Sequence, residues 1–250
     1  MKFLKPAVAL AAASAIALFT TSAALSMTVQ PVVVNLKPLG SGMSQGVMVH
    51  NSFATPLPVE LRIEELTFEN DILVSTHKDS GDLLVFPPQA MVQPGQTQSF
   101  RIQYIGDPEL ARSKYYYVTV AQLPIKLPPG QSAIQILYNF QVLVSIAPNG
   151  VRPALSVASA ALSTDGHGKK VPIITVANPS QAHGYLSNGR LVISEHNIAG
   201  KEVFRKTLSG PEILQIVGFG LVGAGSTRTM TIPIEIPETA GTIDAKFIAD

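Results

Sequence analysis

Residues Ala133–Pro148 read AIQILYNFQVLVSIAP, and apolar side chains occupy every second position from Ile134 to Ile146. The positions between them are mostly polar. A period of two places the two sets on opposite faces of a β-strand. About 13 residues at ~3.3 Å each make a strand of about 43 Å, whereas strands of five or six residues are usual. An apolar ridge of this length predicts a partner, although a ridge that faces the protein's own sandwich remains the alternative.

The first 26 residues are typical of a secretory signal. Lys2 and Lys5 precede an uncharged, alanine-rich run that ends in small residues at Ala24 and Ser26. A basic start, a short apolar segment and small residues at the cleavage site favour export over an uncleaved membrane anchor. The sequence therefore predicts a signal peptide over residues 1–26, cleaved near Ala24 or Ser26, and an exported protein.

The composition indicates a β protein that is held together by packing alone. Cysteine is absent, so neither disulfides nor thiolate metal sites are available. Charged residues make up 14% of the chain and the net charge is +1, which argues against a clustered basic surface for nucleic acid. Nineteen prolines and 19 glycines, together with many valines and isoleucines, are typical of short strands joined by turns.

Two series of strands are predicted, one on each side of a proline-rich break. Alternating runs separated by turn residues give about seven strands before Pro148 and about seven after Pro153. This spacing predicts an all-β fold of two tandem immunoglobulin-like β-sandwich domains, 27–148 and 154–250, with a linker at 149–153. The predicted helix is DPELARSK, Asp107–Lys114, whereas EILQIVGFG, Glu212–Gly220, is predicted as a strand.

Two motifs of catalytic type are present, and neither has the context that its chemistry needs. Gly42–Gly46 matches G-x-S-x-G around Ser44, but a nucleophile elbow requires a strand before the serine and a helix after it. Gly218–Gly223 matches G-x-G-x-x-G, but a β-like segment follows in place of the helix that would bind pyrophosphate.

The histidines show no catalytic or metal-binding spacing. We interpret all five as solvated surface groups: His50, His77, His167, His183 and His196. The sequence predicts no enzyme, no cofactor and no metal site.

The order of strands and turns resembles the periplasmic chaperones of chaperone–usher pili, over essentially the whole chain after the signal. The matching segments are FPPQAMVQPGQTQSFRIQY and YYYVTVAQLP before the break, and VANPSQAHGYLSNGRLVI, GSTRTMTIPI and GTIDAKFIAD after it. The resemblance implies two sandwiches in a boomerang arrangement. It also implies a structural role for Arg101, which follows Phe100 on an alternating strand.

The resemblance also implies a mechanism and its partners. Chaperones of this family lend strand G to exported pilus subunits that lack their last strand, and deliver them to an outer-membrane usher. The subunit-binding donor residues would be Ile134, Ile136, Tyr138, Phe140, Val142 and Val144, with Val142 and Val144 continuing the same face toward the linker. An empty chaperone that caps its ridge by dimerising is left open.

One feature of the family does not transfer. The best-known members bind the carboxylate at the subunit's C-terminus with an arginine on strand A and a lysine on strand G, at positions that here align with Asn35 and Leu143. Lys37 and Arg152 are the candidate substitutes, unless both are ordinary solvated cations. The leading alternative to a chaperone is a structural or adhesive β protein that self-associates through the same strand.

Overall fold

The computed structural model of the chain describes residues 26–125, 136–237 and 241–250. Within these ranges, ten strands precede the proline-rich break. They are β1 (Met27–Gln30), β2 (Val33–Leu36), β3 (Ser44–Asn51), β4 (Leu57–Glu69), β5 (Ile72–Ser75), β6 (Leu83–Phe86), β7 (Gln89–Val92), β8 (Thr97–Tyr104), β9 (Lys114–Gln122) and β10 (Asn139–Ile146).

These strands form two sheets that face each other. One sheet has the order β1-β3-β8-β6, and the other has the order β2-β10-β9-β4-β5, with β7 paired to β4. The inward side chains alternate along each strand and form one core, which includes Phe100, Tyr116 and Val144 at 0% exposure. The period-two pattern of the sequence is therefore realised as a sandwich with one buried face per sheet.

The second half of the chain is also built from strands. They are β11 (Ser156–Thr164), β12 (Lys170–Asn178), β13 (Gly184–Tyr185), β14 (Gly189–His196), β15 (Glu202–Leu208), β16 (Leu221–Val222), β17 (Ser226–Thr231) and β18 (Thr242–Ala249). The sheets are β11-β12-β17, β13-β16 and β15-β14-β18. Ile174, Leu191 and Ile193 lie fully buried in their common core.

The predicted all-β fold with two immunoglobulin-like sandwiches is confirmed. Between Ile146 and Ser156, where the break was predicted, the chain has no strand. Among the residues that the structure describes, no helix is long and apolar enough to span a membrane.

Both helix-related predictions were wrong. Residues 107–113 form a turn and irregular chain rather than a helix, Lys114 begins β9, and the Oδ1 of Asp107 accepts a hydrogen bond from the amide of Glu109 at 2.8 Å. The predicted strand at Glu212–Gly220 is largely helix α1 (Gly210–Val217). Ser209 caps this helix in a reciprocal capping box with Glu212, and a proline lies in its first turn.

The segment at residues 28–36 is divided between the two sheets. TVQPVVVNL forms β1 and β2, which pair with β3 and with β10 respectively. Pro31 lies between them, and a proline cannot donate a hydrogen bond to a sheet. The crossing matters for function because β2 covers only part of the edge of β10.

Neither motif of catalytic type has the local structure its chemistry needs. A 3₁₀ helix at Gly40–Met43 precedes Ser44, which begins β3, and the Oγ of Ser44 accepts a hydrogen bond from Nη2 of Arg101 at 2.8 Å. In the glycine motif, Gly218 is the C-cap of helix α1, so a helix ends where the motif would need one to begin, and β16 follows.

Candidate functional site

The donor-strand segment has a buried half and an exposed half. Val142, Val144 and Ile146 are fully buried in the first core. Phe140 is half-buried against that core, whereas Ile136 is 70% exposed and Tyr138 is 39% exposed. The apolar ridge therefore continues from the protein's interior into solvent.

The predicted length of this strand needs correction. β10 begins at Asn139 rather than Ile134, so the strand has eight residues. Residues 136–138 precede it without strand assignment, although the carbonyl of Tyr138 still accepts a hydrogen bond from the amide of Gln122 at 2.9 Å. Ile134 lies outside the described residues.

Among the strands that the structure describes, none covers the first half of one edge of β10. β9 pairs with all of β10, but β2 pairs only with Leu143–Ile146. The amide of Leu143 donates to the carbonyl of Val32 at 3.0 Å, so the odd-numbered residues direct their backbone groups toward β2. Because backbone direction alternates along a strand, Asn139 and Gln141 present their N–H and C=O groups to a vacant edge.

One face of the sheet that contains β2 and β10 packs against the second half of the chain, and we call the region between them the cleft. Asn35 and Leu143, which align with the two basic residues of the family pattern, belong to this region. Asn35 lies opposite Ser145 in the parallel pair β2–β10, and Leu143 lies opposite Val33. Leu143 packs in an apolar cluster with Tyr115, Tyr117 and residues of the second half. The positions of Asn35 and Leu143 are thus two residues apart in register, and neither carries a charge.

A hydrogen-bond network crosses the cleft from Asn35. The Oδ1 of Asn35 accepts from the Tyr185 hydroxyl at 2.9 Å and lies 3.1 Å from Nε2 of His183. The Nδ1 of His183 lies 2.9 Å from Oγ of Ser113, and the Tyr185 hydroxyl lies 3.2 Å from Oγ of Ser145. Because an amide oxygen only accepts, Nε2 of His183 carries a proton.

The interpretation of His183 as a solvated group was wrong. Its side chain is 7% exposed, and burial lowers its pKa to about 4, with the positive charge of Lys37 acting in the same direction. Burial also raises the pKa of Tyr185 to about 12. Both groups are therefore neutral at physiological pH and act as hydrogen-bonding partners.

Aromatic rings form a continuous row across the same cleft. Successive ring centroids lie 5.1, 5.7, 5.3 and 6.0 Å apart, and each pair meets edge to face. The row is Phe68, Tyr115, His183, Tyr185 and Phe219. Gly223 packs so closely that a Cβ there would lie 2.5 Å from the ring of Phe68. The two halves are therefore tightly fitted where the row crosses.

The two candidate basic substitutes differ in their surroundings. Lys37 is exposed, yet it lies close enough to the cleft for its charge to lower the pKa of His183. Arg152 is exposed and makes no hydrogen bond or ion pair with any part of the chain that the structure describes.

Sequence reasoning missed a third cation in the cleft. Arg228 on β17 is half-buried, and its Nη1 donates to the carbonyl of Leu221 at 2.7 Å. It lines a cavity together with Leu143 and Tyr117. Nothing in the alternating sequence of β17 distinguishes Arg228 from a solvated arginine, because its neighbours come from the other half of the chain.

Comparison with known proteins identifies the family. Residues 26–152 match the family model described as the pili and flagellar-assembly chaperone, PapD N-terminal domain. The chain belongs to this family. A search of curated protein sequences finds no match.

Solved structures of similar fold include other chaperones. The Salmonella enterica SafA pilin in complex with the SafB chaperone matches with 17% identity and a TM-score of 0.50, over 90% of this chain and 91% of the matched one. The class 5 fimbriae chaperone CfaA matches with 13% identity and a TM-score of 0.50, over 88% and 99%. At these identities the matches show a shared fold.

The Tyr185 hydroxyl gives a direct test of the network in this chaperone. Tyr185→Phe is expected to lower the free energy of unfolding by about 1–2 kcal/mol, because it removes the hydroxyl that contacts both the buried Ser145 and the Oδ1 of Asn35. Tyr117→Phe is the matched control, since the Tyr117 hydroxyl makes no hydrogen bond within the described ranges. Urea denaturation, monitored by circular dichroism, measures the free energy of unfolding of both variants. Equal losses of stability in Tyr185→Phe and Tyr117→Phe would contradict the role of the network.

Proposed function

We propose that this protein is a periplasmic chaperone that folds and caps pilus subunits by donor-strand complementation and delivers them to an outer-membrane usher. Its mature part would consist of a donor domain, 27–148, a linker, 149–153, and a second sandwich, 154–250, after removal of a signal over residues 1–26. Membership in the family supports the class of function. The first half of the β10 edge, which no described strand covers, supports the mechanism because its backbone groups can pair with an added strand.

The chemistry of the edge suits an added strand. Backbone groups of Asn139 and Gln141 are available for pairing, and Ile136 and Tyr138 stand beside them as exposed apolar side chains. Burying each such side chain contributes ~1.5–3 kcal/mol before ordering costs. Main-chain pairing would give affinity and the side chains would select the groove, which is the division of roles in strand addition.

The assignment of binding residues is narrower than the sequence pattern suggests. Val142 and Val144 contribute to the chaperone's own core, where they are inaccessible to a subunit. We therefore assign subunit contact to Ile136 and Tyr138, with Phe140 at the boundary between the two cores. The proposal involves no chemical reaction and no cofactor.

The test is to isolate the mature protein from the periplasm of cells that also produce the pilus subunits, and to determine the mass of what co-purifies. We expect a stable 1:1 complex with a small exported subunit. Homopolymers of the chaperone chain without a second protein would contradict the proposal.

Such homopolymers are the expectation of a second candidate function, a structural or adhesive β protein that joins copies of itself through β10. The same vacant edge favours it, because an exposed edge strand can pair with an identical chain. A dimer that dissociates when the subunit is added would fit the chaperone. In the absence of subunit, the uncovered edges of two copies would pair with each other.

A further inference from the structure

A cavity of about 250 Å³ lies between the two halves of the chain, next to β10. Phe68, Tyr117 and Leu143 line it from the first half, and Leu221 and Arg228 line it from the second. Its walls are thus mainly apolar and aromatic, and its charged residues are Arg228 and Asp71. A cation in such surroundings interacts more strongly with an anion than a cation in water does.

The guanidinium of Arg228 has hydrogen-bonding capacity to spare. It carries five N–H donors, and within the described ranges its one hydrogen bond is to the carbonyl of Leu221. Asp71, the acidic residue that lines the same cavity, lies beyond ion-pair distance, since Arg228 forms no salt bridge with any residue of 26–125, 136–237 or 241–250.

Burial lowers the pKa of Arg228, and attraction to Asp71 only partly opposes this effect. The charge is therefore partly desolvated without a bound counter-ion. The hydroxyl of Tyr117 is a second donor in the cavity wall that has no partner among the residues placed by the structure.

The cavity begins where the open edge of β10 ends. Asn139 and Gln141 belong to the open edge, and Leu143 is the first residue that β2 covers. Leu143 follows Gln141 on the same face of the strand, about 7 Å further along. A strand that pairs with the open edge must stop at β2, and the groups at its end then lie beside Leu143 and the cavity.

We propose that Arg228 binds a carboxylate of the captured subunit in this cavity, and that this contact replaces the missing basic residues of β2 and β10. The proposal rests on the proposed function. The carboxylate comes either from the end of the subunit chain or from an acidic side chain near the end of the paired strand. Guanidinium suits both sources, because its planar donors match the two oxygens of a carboxylate.

The test uses synthetic peptides with the sequence of the final strand of the subunit that co-purifies with the chaperone. One peptide has a free C-terminal carboxylate, one has a C-terminal carboxamide, and one has each acidic side chain replaced by its amide. Fluorescence anisotropy measures their affinities for the wild-type protein and for Arg228→Gln. We expect one of the two neutralised peptides to bind the wild type about 10- to 100-fold more weakly, and this difference to disappear in Arg228→Gln.

Two further variants keep the result interpretable. Arg190→Gln removes an exposed arginine of the same half and is expected to keep the preference for the carboxylate. Arg228→Lys keeps the charge without the planar fork and is expected to retain part of the preference. Circular dichroism establishes that each variant is folded.

The outcomes separate this proposal from the proposed function. Binding that Ile136→Asp does not weaken would contradict the use of the β10 edge, and the Arg228 contact with it. Binding that Ile136→Asp weakens, with an unchanged carboxylate preference in Arg228→Gln, would overturn the Arg228 assignment alone. If Lys37→Gln abolished the preference instead, Lys37 would be the binding residue.

Discussion

Ile136→Asp is expected to abolish the chaperone–subunit complex while the protein stays folded. The Ile136 side chain is 70% exposed, so a carboxylate at this position remains hydrated in the free protein. In the complex, the same carboxylate would enter an apolar groove without a partner, which costs several kcal/mol. Co-purification from the periplasm measures capture of the subunit. Thermal unfolding measures the stability of the free protein, and we expect its free energy of unfolding to change by less than about 0.5 kcal/mol.

Val144→Asp is the matched control on the same strand face. Val144 is fully buried in the chaperone's own core, so the charge would be desolvated in the absence of any subunit. We expect loss of at least about 4 kcal/mol of stability, and in practice an unfolded protein. If Ile136→Asp unfolded the chain as Val144→Asp does, the ridge would belong entirely to the protein's own sandwich.

Acidification is expected to destabilise the native state through His183. In the unfolded chain its pKa is near 6.5, whereas burial lowers it to about 4 in the native state. Above pH 6.5 both states are neutral at this residue. Between pH 6.5 and about 4 only the unfolded state binds the proton, so stability falls as the pH falls, by about 3 kcal/mol over the whole window.

Urea denaturation at a series of pH values between 7.5 and 4 would measure this loss. His183→Gln keeps hydrogen-bonding capacity without a titratable ring and should remove most of the pH dependence, at some cost in stability at pH 7. His167→Gln changes an exposed histidine and should leave the dependence intact. A wild-type protein whose stability is flat across this window would contradict a buried, neutral His183.

The architecture could be predicted from the sequence because successive side chains of a β-strand point to opposite faces of the sheet. The alternation around Val142–Ile146 identifies a buried face without reference to any other part of the chain. Helix α1 was missed because a short apolar run such as Ile213–Val217 fits a strand as well as a helix. The decisive signal was the capping pair Ser209 and Glu212, which has the spacing of a capping box.

The cleft could not be predicted in the same way. Asn35 and Tyr185 are 150 positions apart in the chain, and Ser113 and His183 are 70 apart. No local pattern brings these residues together, since each depends on how the two halves pack. The same limit hid Arg228, whose partly buried surroundings come from Tyr117 and Leu143.

Phe140 marks the point where the apolar side chains of the donor-strand segment pass from exposed to buried. Evolution can therefore act differently on the residues before and after it. Val142, Val144 and Ile146 are buried in the chaperone's own core, so substitutions there act on its stability, whereas Ile136 and Tyr138 lie outside that core and are exposed. If Ile136 and Tyr138 contact the subunit as proposed, preference among subunits can diverge with little effect on the stability of the chaperone. Exchanging those two side chains for the corresponding pair of another chaperone would be a route to retargeting this protein to a foreign fibre.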